Sequence, residues 1–250
     1  MIASLPMYDR PETAEANDRL WDGIARALRA RGLEAPAALD RTTGLWETWL
    51  SPDLLLSQTC GFPYRARLHG RVALVATPVC DLPDAPPGHY YSVLVARRAD
   101  RRRDLAAFDG ACLAYNDPLS QSGWAAPMAE AAAAGRAFGR TLATGAHRAS
   151  AHAVAEGAAD IAAIDALTWR MIRRWDGIAA DLREIAATSS TPALPWITSP
   201  AADAPLIAEA LSEALSALAG PDRDRLGLLG AVRLDPAAYL GVRTPPAPRA

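Results

Sequence analysis

The sequence predicts an α/β chain of two lobes, built on mostly parallel sheets flanked by helices, with a ligand cleft between the lobes. Three observations lead there. Short apolar runs alternate with stretches of helical period, the pattern of a sheet covered by helices. The chain has 250 residues, half of them apolar and 22% charged, enough for one large core or two smaller ones. Two crossings, Arg97–Arg103 and Pro192–Pro195, interrupt the alternation and are read as hinges. They set residues 1–96 and 193–250 in a discontinuous first lobe and residues 97–192 in an inserted second lobe.

The elements follow in order. Ile2 to Met7 reads as a short buried strand, with a turn at Asp9-Arg10-Pro11. A helix is expected from Thr13 to Arg31, because Leu20, Ile24 and Leu28 share a face and Gly32 supplies a stop. Leu54–Ser57, Val72–Ala76 and Ser92–Ala96 are apolar runs of strand length, with a Pro- and Gly-rich loop at Pro83–Gly88. Cys112–Tyr115 is a further strand, followed by a polar turn at Asn116–Gly123 and an alanine-rich helix from Gln121 to Phe138. A helix at His147–Glu156 ends at Gly157; Ile161–Ile164 is a strand, and Asp165 caps a helix at Ala166–Trp175. The last long helix, Leu206–Leu218, is read as ending at Gly220-Pro221, and the Pro-rich tail Thr244–Ala250 is expected to fray.

Composition excludes several functions. The formal net charge is -2, so no strong field favours nucleic acid or anionic lipid. The basic cluster Arg97, Arg98, Arg101, Arg102 and Arg103 is read as a solvated connection. The chain has no lysine, which removes Schiff-base, P-loop and Ser-Lys chemistry. Cys60, Cys80 and Cys112 lack CxxC spacing and their number is odd, so neither a disulfide scaffold nor a zinc site is expected. HExxH, GxGxxG and nucleophile-elbow patterns are missing, and no catalytic residue, metal or cofactor is assigned. No apolar stretch is long enough to span a membrane, and the first residues do not form a leader. The chain as written is therefore expected in the cytoplasm, or in the periplasm if a leader preceded it.

Three segments carry candidate chemistry. Asn116-Asp117-Pro118-Leu119-Ser120-Gln121-Ser122-Gly123 joins a strand to a helix. Ser120 and Ser122 bring hydroxyls, Gly123 admits close approach to the backbone, and the helix start brings N–H groups with no intrahelical acceptor. The plainer reading is an ordinary cap by Asn116 or Ser120. Thr144-Gly145-Ala146-His147-Arg148-Ala149-Ser150 is a second helix start with donors suited to an oxyanion, His147 first among them. His152, five residues on, points off that face, so the two histidines are not a metal pair. Ser57-Gln58-Thr59-Cys60-Gly61-Phe62-Pro63-Tyr64 follows a strand in the first half, and Gln58, Thr59 and Tyr64 are its candidate donors, with a plain strand-helix connection as the other reading. Asp165 at a strand end either caps the next helix or meets a ligand amine or hydroxyl. Tyr8 and Tyr91 are weaker candidates, and Cys60 reads as an inert small residue before it reads as a nucleophile.

At these segments the chain resembles the phosphate/phosphite/phosphonate-binding receptors of ABC transporters, the PhnD-like group. Members carry a strand, an Asp-Pro turn and a Ser-Thr-Ser-Gly helix start, to which Asn116–Gly123 is similar, with Gln121 in place of a hydroxyl residue. A Ser-His helix start resembles Gly145-Ala146-His147, with Ala146 replacing the hydroxyl. A Gly-x-Ala-Asp-x-Ala-x-x-Asp stretch is similar to Gly157–Asp165. The resemblance weakens before residue 90, where Gln58-Thr59-Cys60-Gly61 stands in place of an aromatic-bearing loop.

The resemblance implies a type 2 periplasmic-binding-protein fold and a small anionic ligand, phosphate, phosphite or phosphonate-like. It implies an ABC-transporter permease as partner and strengthens Ser120, Ser122 and His147 as ligand contacts; Gln121, Asp165, Gln58, Thr59, Tyr91 and Tyr8 are the further ligand-contact candidates, read from the residues themselves. The alternative is a cytoplasmic enzyme or ligand-sensing domain on the same fold, acting on a phosphorylated metabolite.

Overall fold

The structure is a computed structural model and describes residues 1–248. It contains strands β1 (Ile2–Ser4), β2 (Leu54–Gln58), β3 (Ala73–Cys80), β4 (His89–Tyr90), β5 (Ser92–Arg97) and β6 (Cys112–Tyr115). Then come β7 (Arg140–Ala143), β8 (Ile161–Asp165), β9 (Leu182–Ala187), β10 (Thr191–Pro192), β11 (Trp196–Thr198) and β12 (Leu228–Val232). The helices are α1 (Ala14–Ala30), α2 (Leu45–Leu50), α3 (Gly61–Pro63), α4 (Ala126–Ala133), α5 (His147–Ala155), α6 (Ala166–Trp175), α7 (Ala204–Ala217), α8 (Gly220–Leu226) and α9 (Pro236–Leu240). The chain forms two compact units: Met1–His89 with Pro192–Leu240, and Tyr90–Thr191 with the segment from Gly241 onward. The first crossing is therefore at His89/Tyr90, ahead of Arg97, which belongs to β5 inside the second unit.

In the first unit the sheet order is β1-β2-β11-β3-β12. Only β1 and β2 pair in parallel; β11 runs antiparallel to β2 and β3, and β12 antiparallel to β3. The sheet is mixed rather than mostly parallel, because the returning part of the chain inserts β11 between two strands of the first part. Helix α1 lays Leu20, Ile24 and Leu28 on this sheet, each at most 1% exposed. Each such burial contributes about 1.5–3 kcal/mol. A Cβ on Gly23 would stand 3.1 Å from the Cβ of Ala214 on α7, so glycine lets the two helices approach closely. Thr13 sets the entry to α1: its hydroxyl donates to the Tyr8 carbonyl at 2.6 Å and accepts from the Arg10 N–H at 3.0 Å. Gly32, at φ 82°, takes the left-handed turn that ends the helix. Gly220-Pro221, read as a terminator, instead opens α8, with proline in its first turn where a missing N–H costs nothing.

In the second unit the order is β7-β6-β8-β5-β9. β6 is parallel to β7 and β8, and β5 is antiparallel to β8 and β9. Leu94, Val95, Leu113, Ile161 and Ile164 are fully buried in this sheet. The arginine cluster is not simply a solvated connection. Arg102 Nη2 reaches Asp100 at 2.6 Å and Asp160 at 2.9 Å, and its guanidinium lies 4.1 Å over the Phe108 ring. Arg97 Nη1 donates to the carbonyls of Val154 and Ala159, while Arg101 and Arg103 are exposed. The hydrogen bonds from Arg102 hold the Asp100 carboxyl down at about 2. No helix among the described residues is long and apolar enough to cross a membrane.

Candidate functional site: the Ser120–Gly123 turn and His147

The site is built from the loop after β6. Asp117 closes a turn, its carboxylate accepting from the Leu119 N–H at 2.7 Å and its carbonyl from the Ser120 N–H at 3.0 Å. Ser120 then caps a wide helical turn over Gln121–Ala125 that leads into α4. Its hydroxyl accepts from the Gly123 N–H at 2.9 Å, and its carbonyl accepts from Trp124 and Ala125 at 3.3 and 3.0 Å. The widened turn and the cap explain why α4 is shorter than expected. It covers only Ala126–Ala133 and stops at Gly135, whose φ is 67°. Gly123 is required by close approach: a Cβ there would lie 1.9 Å from Oδ1 of Asn116.

His147 begins α5. Thr144 fixes that start, donating to the Tyr115 carbonyl at 3.0 Å and sharing a 2.7 Å hydrogen bond with the Ser150 hydroxyl. The His147 Nε2 lies 2.8 Å from the Ser122 hydroxyl, and the Ser120 and Ser122 hydroxyls are 3.4 Å apart. Burial pushes the imidazole down to about 4, so the ring is neutral at pH 7. In the neutral ring one nitrogen donates and the other accepts. Two helix starts and two hydroxyls thus converge beside one imidazole. The first turns of these helices carry N–H groups without intrahelical acceptors and the positive ends of their dipoles, an arrangement that favours an oxyanion.

Gln121, Ser120 and Ser122 are all at most 5% exposed. Asp165 is 2% exposed, and its carboxylate accepts from the Thr168 N–H at 2.9 Å, which caps α6. It stands opposite Ser92 in the β5/β8 ladder. The Ser92 hydroxyl donates to the Ser122 carbonyl at 3.0 Å, which links this strand end to the turn. Tyr91 precedes Ser92, and its carbonyl accepts from the Ala166 N–H at 3.0 Å. Sequence reasoning missed Ser92; the signal available was a serine opening an otherwise apolar strand.

The remaining candidates belong to the first unit. Gln58 donates from Nε2 to the Leu194 carbonyl at 3.0 Å, and the Thr59 N–H donates to the Pro195 carbonyl at 3.0 Å. Both tie the end of β2 to the returning chain. Gln58 and Tyr8, with Asn17, line a cavity of about 20 Å³, room for a single water. Cys60 is half-buried; Cys112 is buried, and burial pushes its thiol up. No group of three or more His, Cys, Asp or Glu able to hold a metal ion exists among the described residues.

Solved structures share this fold along nearly the whole chain. PhnD1 from Prochlorococcus marinus, in complex with methylphosphonate, superposes with a TM-score of 0.74 at 15% identity, covering 96% of this chain and 95% of that one. A binding-protein component of an ABC phosphonate transporter from Pseudomonas aeruginosa gives 0.68 at 15% identity, covering 97% and 83%. XAC2383 from Xanthomonas citri, bound to ATP, gives 0.66 at 18% identity, covering 95% and 92%. At these identities the likeness establishes the periplasmic-binding-protein fold. No curated protein matches the sequence. The sequence pattern of one family, described as "ABC transporter, phosphonate, periplasmic substrate-binding protein", matches residues 4–239. That match spans most of the 250 residues, and the chain belongs to the family of phosphonate ABC-transporter substrate-binding proteins.

Proposed function

We propose that the chain captures a small oxyanion of the phosphonate, phosphite or phosphate class through Ser120, Ser122 and His147, for delivery to an ABC-transporter permease. The observation that carries this reading is the 2.8 Å pairing of Ser122 with a half-buried, neutral His147 at the meeting of two helix starts. A hydroxyl and an imidazole N–H both donate to phosphoryl or phosphonyl oxygens, and neither requires a lysine. Gln121 adds an amide where the family has a hydroxyl. Asp165 and Tyr91, at adjacent strand ends, are proposed to meet the substituent, a carboxylate suiting an amine.

The family consists of substrate-binding proteins and not of enzymes, so the enzyme reading is set aside. PhnD1 holding methylphosphonate supports the phosphonate class, and XAC2383 holding ATP supports including phosphorylated metabolites in any test. The test is thermal stability against phosphate, phosphite, sulfate, methyl- and aminoalkylphosphonates, and nucleotides. At a hundred times its dissociation constant a ligand stabilises by about 2.7 kcal/mol, and for a chain of this size that raises Tm by roughly 5–10 °C. A shift confined to phosphonyl or phosphoryl compounds is expected. A shift with sulfate alone, or with none of the panel, would overturn the ligand class.

A further inference from the structure

Within the described residues, the segment after Leu240 packs on the protein and makes a hydrogen bond. It joins the second unit although α9, directly before it, belongs to the first. Val242, Pro245 and Pro248 are half-buried, while Arg243, Thr244, Pro246 and Ala247 are exposed. Burial at every third residue is the period of a polyproline II helix laid along a surface on one of its three edges. Such a helix has no internal hydrogen bonds, so its carbonyls are available to partners. The Pro246 carbonyl takes one: Trp124 Nε1 donates to it at 3.0 Å. Trp124 is 2% exposed, its ring packs on Tyr115 at 5.0 Å between centroids, and it sits in the turn that carries Ser122 and Gly123.

We propose that residues 242–248 form a strap that positions the Ser120–Gly123 turn by holding Trp124, so that the affinity of the site depends on a segment outside it. The indole is the handle. Trp124 N–H of the backbone is tied to the Ser120 carbonyl and its side chain to the strap, so the turn is fixed from both ends of one residue. The consecutive prolines at 245 and 246 restrict the free segment, which lowers the entropy lost when it docks. The consequence for binding rests on the oxyanion reading above; the strap itself does not.

Two variants test it: a chain ending at Gly241, and Trp124→Phe, which keeps a six-membered aromatic ring and removes the donor. Hydrogen exchange at the Gly123, Trp124 and Ala125 amides, measured without ligand, is expected to quicken about fivefold in Trp124→Phe, the worth of one hydrogen bond of about 1 kcal/mol. A larger increase is expected in the shortened chain, with β8 unchanged in both. Unchanged exchange at the turn would overturn the strap, and so would an equal loss of protection throughout β8, which marks general support of the unit. In the second arm, methylphosphonate affinity is expected to fall about fivefold in Trp124→Phe, measured well below its Tm. Unchanged affinity would overturn the positioning role. Failure of the unaltered protein to bind methylphosphonate would count against the ligand class, while the exchange arm would still decide the strap.

Discussion

Acidification should destabilise the protein through His147, and the size of the effect follows from where the ring sits. The unfolded imidazole titrates at 6.5 and the folded one at about 4, because the ring gives up solvent beside Ser122 and the β8 backbone. Between those values the unfolded chain holds a proton that the folded chain lacks. Stability therefore rises with pH across this window; the contribution is complete above about 6.5 and is lost as pH falls toward 4. A difference of about 2.5 units at 1.36 kcal/mol each gives roughly 3 kcal/mol. This is an upper value, since the residue as a whole is only half-buried. The perturbation is His147→Gln, which keeps an amide near Ser122 but does not titrate. Urea unfolding at pH 7, 5.5 and 4 should show the unaltered protein losing up to 3 kcal/mol more than the variant. Carboxylate effects common to both chains cancel in that difference. Parallel loss in the two proteins would refute the reasoning, because it would place the folded histidine in an environment as polar as water.

Two more predictions concern the same unit. Gly123→Ala places a methyl carbon 1.9 Å from the Asn116 side chain, and overpacking of this kind costs about 1–3 kcal/mol; adding Asn116→Ala should recover most of it in denaturant melts. Asp100→Asn removes a carboxylate held at about 2, against 3.8 in the unfolded chain, by hydrogen bonds from Arg102. The expected loss is on the order of 2 kcal/mol near neutral pH. It is present above about pH 4 and vanishes as pH falls through 2, so unfolding curves of variant and parent should converge in acid.

Much of the fold was legible because its signals are local. The four-residue spacing of Leu20, Ile24 and Leu28 marked α1, and the apolar runs at Leu54, Ser92, Cys112 and Ile161 marked the buried strands β2, β5, β6 and β8. The strands that went unread carry no such signal. Arg140-Thr141-Leu142-Ala143 and Leu182-Arg183-Glu184-Ile185-Ala186-Ala187 are edge strands with partly exposed, partly charged faces, where polar residues are the rule. β11 has three residues and is a strand only because it lies between β2 and β3. Its insertion also makes the sheet mixed, a long-range pairing that no run of residues announces.

In the site, the motif around Ser120 and the helix start at His147 were readable, and the structure brings them within hydrogen-bond reach. The Ser92 hydroxyl behind the turn and the Trp124–Pro246 contact were not, since each joins residues far apart in sequence. Gln58 was readable as a polar residue at a strand end, but its amide is committed to the Leu194 carbonyl, a partner 136 residues away.

The most direct test is a calorimetric titration with methylphosphonate of the unaltered protein and of the Ser122→Ala/His147→Ala double variant. Each hydrogen bond to a charged oxygen contributes about 1.5–3 kcal/mol, so loss of both predicts affinity lower by roughly a hundredfold or more. One saturable site in the parent, weakened to that extent in a folded double variant, is the predicted result. Equal affinity in the two proteins would contradict the assignment of the oxyanion to Ser122 and His147.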